Sequence, residues 1–85
     1  MKNYIRWQNQ LLECRKNNEI KSAPGCYNVF LENKKTGVIY ETQGDIPDDP
    51  YYDWSQFLIW LVDEIAELVG TDEDDDLNII SLEYD

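Results

Sequence analysis

Apolar side chains recur every three or four residues at the start of the chain. Tyr4, Trp7, Leu11 and Cys14 form one row and Ile5, Gln8 and Leu12 the adjoining one, so the spacing predicts an amphipathic helix over residues 3 to about 17. Arg6, Arg15 and Lys16 fall on its other face, and Asn17 and Asn18 end it. Glu19 to Ser22 reads as a short edge strand before the turn Ala23-Pro24-Gly25. The β-branched and aromatic runs Tyr27 to Glu32 and Val38 to Thr42 form a hairpin. Asn33-Lys34-Lys35-Thr36-Gly37 joins them, with Gly37 supplying a positive φ.

Gln43 to Tyr52 holds Gly44, Pro47, Pro50 and three Asp, which predicts an exposed connection. Asp53-Trp54-Ser55-Gln56 then fits a capping box, with Tyr52 and Phe57 as its staple, and Gly70 marks the end of the helix. Between them Leu58, Leu61, Val62, Ile65, Leu68 and Val69 share one arc, the expected core stripe. Thr71 to Asp76 is an acidic loop. In Leu77 to Tyr84 the residues Ile80, Leu82 and Tyr84 alternate with Ile79, Ser81 and Glu83, as in a strand. The order α-β-β-α-β gives an α+β fold in which helices pack on a small three-stranded antiparallel sheet, since a lone hairpin is marginal in water. At 85 residues the chain makes one domain, residues 1–85, with no internal repeat.

Charge divides the chain. Residues 1–35 carry seven Lys or Arg against Glu13, Glu19 and Glu32. Residues 36–85 carry fifteen Asp or Glu and no Lys, Arg or His, so halves of +4 and −15 make the net −11. Crowded like charges oppose compaction, and a 42% hydrophobic, 13% aromatic composition is what lets such a chain fold. A field of this kind serves either an encounter with a cationic partner or plain solubility, and solubility needs far less charge. The acidic half repels phosphate, so direct nucleic-acid binding is not expected. Met1-Lys2-Asn3-Tyr4 lacks the apolar stretch of a secretory signal, and the longest apolar run, Phe57 to Val62, is too short to span a membrane. A cytoplasmic location, without a membrane or small-molecule partner, is the expectation.

Catalytic chemistry finds little footing. Histidine is absent, and Cys14 and Cys26 are too far apart in sequence for a paired metal motif, so no cofactor, metal or catalytic residue is expected. Asp72, Asp74, Asp76 and Glu83 match alternate and terminal positions of an EF-hand loop, but Leu77 stands where a glycine must turn the chain. Asp48 with Asp49, or Asp63 with Glu64, could pair as in a glycosidase, yet so short a chain hardly builds the cleft required.

The candidate site is instead a binding surface. Ile59, Trp60, Asp63, Glu64 and Glu67 lie opposite the core arc of the second helix, where Trp60 is either an interface anchor with an acidic rim or a further core contact. Asp72, Glu73, Asp74, Asp75 and Asp76 form the densest charge block, and Asp48, Asp49, Tyr51 and Tyr52 complete the partner-binding set. Carboxylates three or four apart on a helix are spaced comparably with successive phosphates of a DNA strand, and arginine forks bind both groups alike.

In its size, its α/β element order, its lack of positive charge after Lys35 and its acidic loop leading into the strand Leu77 to Tyr84, the chain resembles the small acidic inhibitors encoded by bacteriophages. Anti-CRISPR proteins and other DNA mimics belong to this class. The resemblance implies a noncatalytic inhibitor that plugs the basic channel of a CRISPR nuclease, a restriction enzyme or a repair enzyme. Two other classes fit the same charge pattern: an immunity protein or antitoxin that neutralises a basic toxin, and a phage structural or assembly subunit joined head to tail.

Overall fold

The computed structural model describes residues 3–18, 24–70 and 73–84. Its elements are helix α1 (Tyr4–Asn17), strands β1 (Gly25–Asn33) and β2 (Ile39–Ile46), helix α2 (Trp54–Val69), a 3-10 turn (Asp74–Asp76) and strand β3 (Leu77–Tyr84). The α+β order read from the sequence is the one observed. The edge strand expected over Glu19 to Ser22 lies outside the described residues. No described helix is long and apolar enough to cross a membrane.

The sheet runs β2-β1-β3, antiparallel throughout, with both helices on one face. β1 supplies Tyr27, Val29, Leu31 and Asn33 to that face, all buried, in strict alternation. α1 lies along β3 and buries Trp7, Leu11 and Cys14, with Tyr4 half-buried beside them, as its spacing predicts. Arg15 and Lys16 in its last turn complement the helix dipole.

α2 starts on the Asp53 cap that its sequence predicts. The Asp53 carboxylate accepts hydrogen bonds from the Ser55 and Gln56 amides at 3.0 and 3.2 Å, and at the other end the Gly70 amide donates to the Ala66 carbonyl. Its buried arc is Phe57, Leu58, Leu61, Val62 and Ile65. Phe57, read only as a staple, is fully buried, whereas Leu68 in the last turn is 46% exposed.

Both remaining differences from the sequence reading are tertiary in origin. β2 runs on through Gln43, Gly44 and Asp45 to Ile46, residues read as a connection, and pairs Gly44 with Tyr27 and Ile46 with Gly25. The glycine is a packing requirement: the Trp60 indole lies on it, and a Cβ there would come within 3.0 Å of three ring atoms. In β3 a bulge sits opposite Phe30 and Leu31, whose partners are Ser81 and Ile79. The bulge turns Ile80 outward and puts both Ile79 and Leu82 on the covered face, breaking the expected alternation.

At the hairpin turn, Asn33 Oδ1 accepts from the Lys35 and Thr36 amides at 2.8 and 3.0 Å, and Gly37 takes the positive φ of 78° that the turn needs. The outer edge of β3 is finished by α1. Trp7 Nε1 and Arg6 Nη2 donate to the Leu77 carbonyl, Gln10 Oε1 accepts from the Ile79 amide, and Asn18 Nδ2 donates to the Leu82 carbonyl.

Candidate functional site

α2 carries the centre of the acidic surface. Asp63 and Glu67, four residues apart, are exposed on the helix side turned away from the sheet, and Glu64 is half-buried on the flank. No cation interrupts this row, because the chain has none after Lys35.

Trp60 does not belong to the row. It lies on the flank of the buried arc three residues after Phe57, half-buried, with its indole over Gly44 and tilted against Phe57 at 5.2 Å between ring centroids. It is a wall of the core that leans on β2, not an indole standing among carboxylates. The ring series continues: Phe57 meets Trp54 and Tyr27, and Tyr27 meets Trp54 and Tyr84, all edge to face at 5.0–6.1 Å.

The acidic block after α2 is tied into the fold. Glu73, half-buried, accepts a hydrogen bond from Asn33 Nδ2 at 2.9 Å and from the Tyr40 hydroxyl at 3.3 Å. Loss of solvation, and then the Glu73 charge, push the Tyr40 phenol upward. The Lys34 amide donates to the Asp76 carbonyl at 2.8 Å, so the 3-10 turn is also pinned to the hairpin. On the other side Asn3 Nδ2 reaches Asp75 Oδ1 at 3.5 Å, and Arg6 Nη1 donates to the Asp75 carbonyl at 3.1 Å. Of the acidic loop read over Thr71 to Asp76, the described residues form a turn bonded to the hairpin and to α1. Asp72 and the Asp74 side chain lie outside the described residues.

The third group sits at the opposite end of α2, about 24 Å away for sixteen helical residues. Asp48 and Asp49 are exposed, and Asp49 Oδ1 accepts from the Tyr51 amide at 2.9 Å, which shapes the turn. Tyr51 projects outward, 89% exposed, while Tyr52 packs half-buried against the core. Burial and then Asp45 raise the Tyr52 phenol. With Ile46, Pro47, Asp53 and Trp54, these residues other than Tyr51 line a shallow cleft of about 330 Å³. Asp48, Asp49, Tyr51 and Tyr52 therefore do not join the Glu73 to Asp76 turn in one patch; α2 separates them.

A second acidic surface went unread in the sequence. The sheet face opposite the helices bears Glu41, Gln43 and Asp45 from β2, Phe30 and Glu32 from β1, and Glu83 from β3. Its signal was the alternation of Glu41, Gln43 and Asp45, hidden by reading Gly44 as a loop residue.

The basic side is weaker than its sequence implies. Arg15 stacks over the Trp54 ring at 4.4 Å, where burial lowers its pKa, and Arg6 is engaged with the Asp75 and Leu77 carbonyls. Among the described residues the exposed cations are Lys16, Lys34 and Lys35. Both cysteines are free thiols, and burial raises that of Cys14. Among the described residues no group of three or more Cys, Asp or Glu is placed to hold a metal ion.

Compared with protein-family models, curated proteins and solved structures, the chain matches none. Its chemistry has to be read from its own residues.

Proposed function

We propose that the protein is a noncatalytic inhibitor that binds a basic nucleic-acid-handling protein, such as a CRISPR nuclease or a restriction or repair enzyme, by presenting carboxylates where that protein expects phosphates. The observation that carries this reading is the uninterrupted acidic row on the outer side of α2, where Asp63 and Glu67 stand exposed with Glu64 beside them. Side chains at this spacing suit arginine forks and lysines that normally grip a phosphate backbone. The internal engagement of Arg6 and Arg15 weakens the alternative of head-to-tail assembly, since among the described residues it leaves Lys16, Lys34 and Lys35 as the exposed cations for a neighbour's acidic face.

The test is capture from a lysate of the source cell with tagged protein at ~0.15 M salt, where weak charge contacts are largely screened. A single nuclease or repair enzyme that competing DNA releases supports mimicry. Capture of a toxin or a structural subunit, with binding indifferent to DNA, replaces it with an immunity or assembly role.

A further inference from the structure

The sheet face turned away from the helices carries apolar side chains among its carboxylates. Phe30 alternates with the buried Val29 and Leu31, so its ring stands on the open side, away from the core. The ladder between β1 and β2 sets Phe30 opposite Glu41 and Glu32 opposite Ile39. These side chains make a square on one face, with Phe30 and Ile39 on one diagonal and Glu32 and Glu41 on the other. On β3, across from Phe30, the bulge turns Ile80 to the same face. Ile39 is 57% and Ile80 45% exposed, Glu41 is exposed, and Phe30 and Glu32 are half-buried. The square lies at the hairpin end of the sheet, five strand residues or about 17 Å from the start of β1 at Gly25.

Neighbouring positions set what can bind there. Directly opposite Cβ atoms of an antiparallel pair are about 5 Å apart, and diagonal ones about 7–8 Å. A guanidinium lying over Phe30 therefore reaches Glu41 on one side and Glu32 on the other, with its aliphatic stem on Ile39. Arginine suits the square better than lysine, because its planar group stacks on a ring while its N–H fork grips carboxylates.

A second copy of the chain is a poorer occupant. The outward positions of the three strands also carry Asp45 and Glu83 and hold no Lys or Arg, so two such faces repel; Lys34 and Lys35 belong to the turn beyond.

We propose that the hairpin end of the open sheet face docks a basic protein through an arginine side chain, which stacks on Phe30 and pairs with Glu32 and Glu41. This rests on the reading above that the partner is a basic protein, and it adds a contact on the face that α2 does not share.

The probe is an acetylated five-residue peptide of alternating glycine and arginine, compared with the same peptide carrying lysine in place of arginine. Both are titrated at low salt against the whole chain and followed by amide chemical shifts. The arginine peptide shifts the amides of Phe30, Glu32 and Glu41 and binds there roughly threefold more tightly than the lysine peptide. Phe30→Leu, which keeps an apolar side chain and removes the ring, abolishes that preference. The double variant E32Q/E41Q weakens binding of both peptides by roughly fivefold, with thermal unfolding confirming that each variant is folded. Equal binding of the two peptides to the unaltered protein overturns the stacking site. Shifts confined to α2 around Asp63 and Glu67 overturn it too and leave the acidic-row reading standing. Dimerisation of the protein alone, with the Phe30 and Glu41 amides shifting on dilution, gives the face to a second copy and likewise overturns the proposal. Failure of both peptides to bind also overturns it, while the lysate capture decides the broader reading by itself.

Discussion

Replacing Gly44 with alanine tests whether Trp60 is a wall of the core. Gly44 pairs with Tyr27 in regular antiparallel geometry, so the backbone accepts an alanine, but the added methyl would press into the Trp60 ring. Overpacking of this kind costs about 1–3 kcal/mol, and removing a glycine from a strand stabilises by about 0.4–1 kcal/mol, so the expected net loss is about 1–2 kcal/mol. Trp60→Ala alone should cost about 2 kcal/mol, below the range for a fully buried aromatic because the ring is half-buried. In the double variant the methyl enters the space the indole vacated. There Gly44→Ala becomes neutral or mildly stabilising, a coupling of about 1.5–2.5 kcal/mol. Urea unfolding followed by far-ultraviolet circular dichroism reads this without relying on the deleted tryptophan. At about 1 kcal/mol per molar of urea for a small domain, Gly44→Ala should lower the midpoint by roughly 1 M or more when Trp60 is present, and should not lower it when Trp60→Ala has already been made. An equal loss in both backgrounds would show that the indole is not what Gly44 accommodates, and the packing account of β2 would fail with it.

Three further outcomes follow from the site. Glu73→Gln should destabilise the fold by about 1 kcal/mol through weakened bonds to Asn33 and Tyr40, read by thermal unfolding; an unchanged transition would mean that the acidic turn is not held by these bonds. The Tyr27 and Tyr52 phenols are raised, chiefly by burial, so each favours its neutral form in the folded state. Their contribution is complete below the ordinary phenol range near pH 10 and is lost as pH rises through the folded values, so stability should decline on the alkaline side, with ultraviolet titration showing three late phenols, those of Tyr27, Tyr52 and the Tyr40 bonded to Glu73. Asp63→Lys with Glu67→Lys should slow association with the captured partner by roughly tenfold or more at low salt while leaving thermal stability within about 0.5 kcal/mol, because exposed charges steer encounter; stopped-flow rates unaltered by the reversal would remove α2 from the interface.

What the sequence made legible was local. The intervals in α1 and the Asp53 cap of α2 depend on residues within one or two turns, and the hairpin on Asn33 and Gly37, so reading them needs no knowledge of what packs where. The errors share an opposite cause. Gly44 is a loop signal by propensity and a strand residue by tertiary contact, because only the distant Trp60 explains why a glycine is required there. The alternation in β3 put Ile80 on one face with Leu82 until a bulge against β1 shifted the phase. Trp60 was open between the acidic face and the core because helical spacing places a residue on a circle without saying how wide the buried sector is. Here the sheet is broad enough to cover the flank as well as the centre.

The acidic run after α2 shows most clearly how charge density along the sequence differs from exposed charge in the fold. Read as a string, Asp72 to Asp76 is the strongest feature of the chain and invites the role of principal contact surface. In the fold, Glu73 commits its carboxylate to Asn33 and Tyr40, and the main chain of Asp75 and Asp76 bonds to Arg6 and Lys34. Asp63, Glu67, Glu41 and Asp45 are spread more thinly in sequence, yet all are exposed, two on a helix side and two along a strand edge. A carboxylate that is already satisfied within its own chain gives up a partner when it binds another, whereas an exposed one exchanges only water. Reversal of charge should therefore separate the two sets, with Glu73 altering stability and the four exposed carboxylates altering association. A partner that responded to Glu73 as strongly as to Asp63 and Glu41 would place the contact surface on the turn after all.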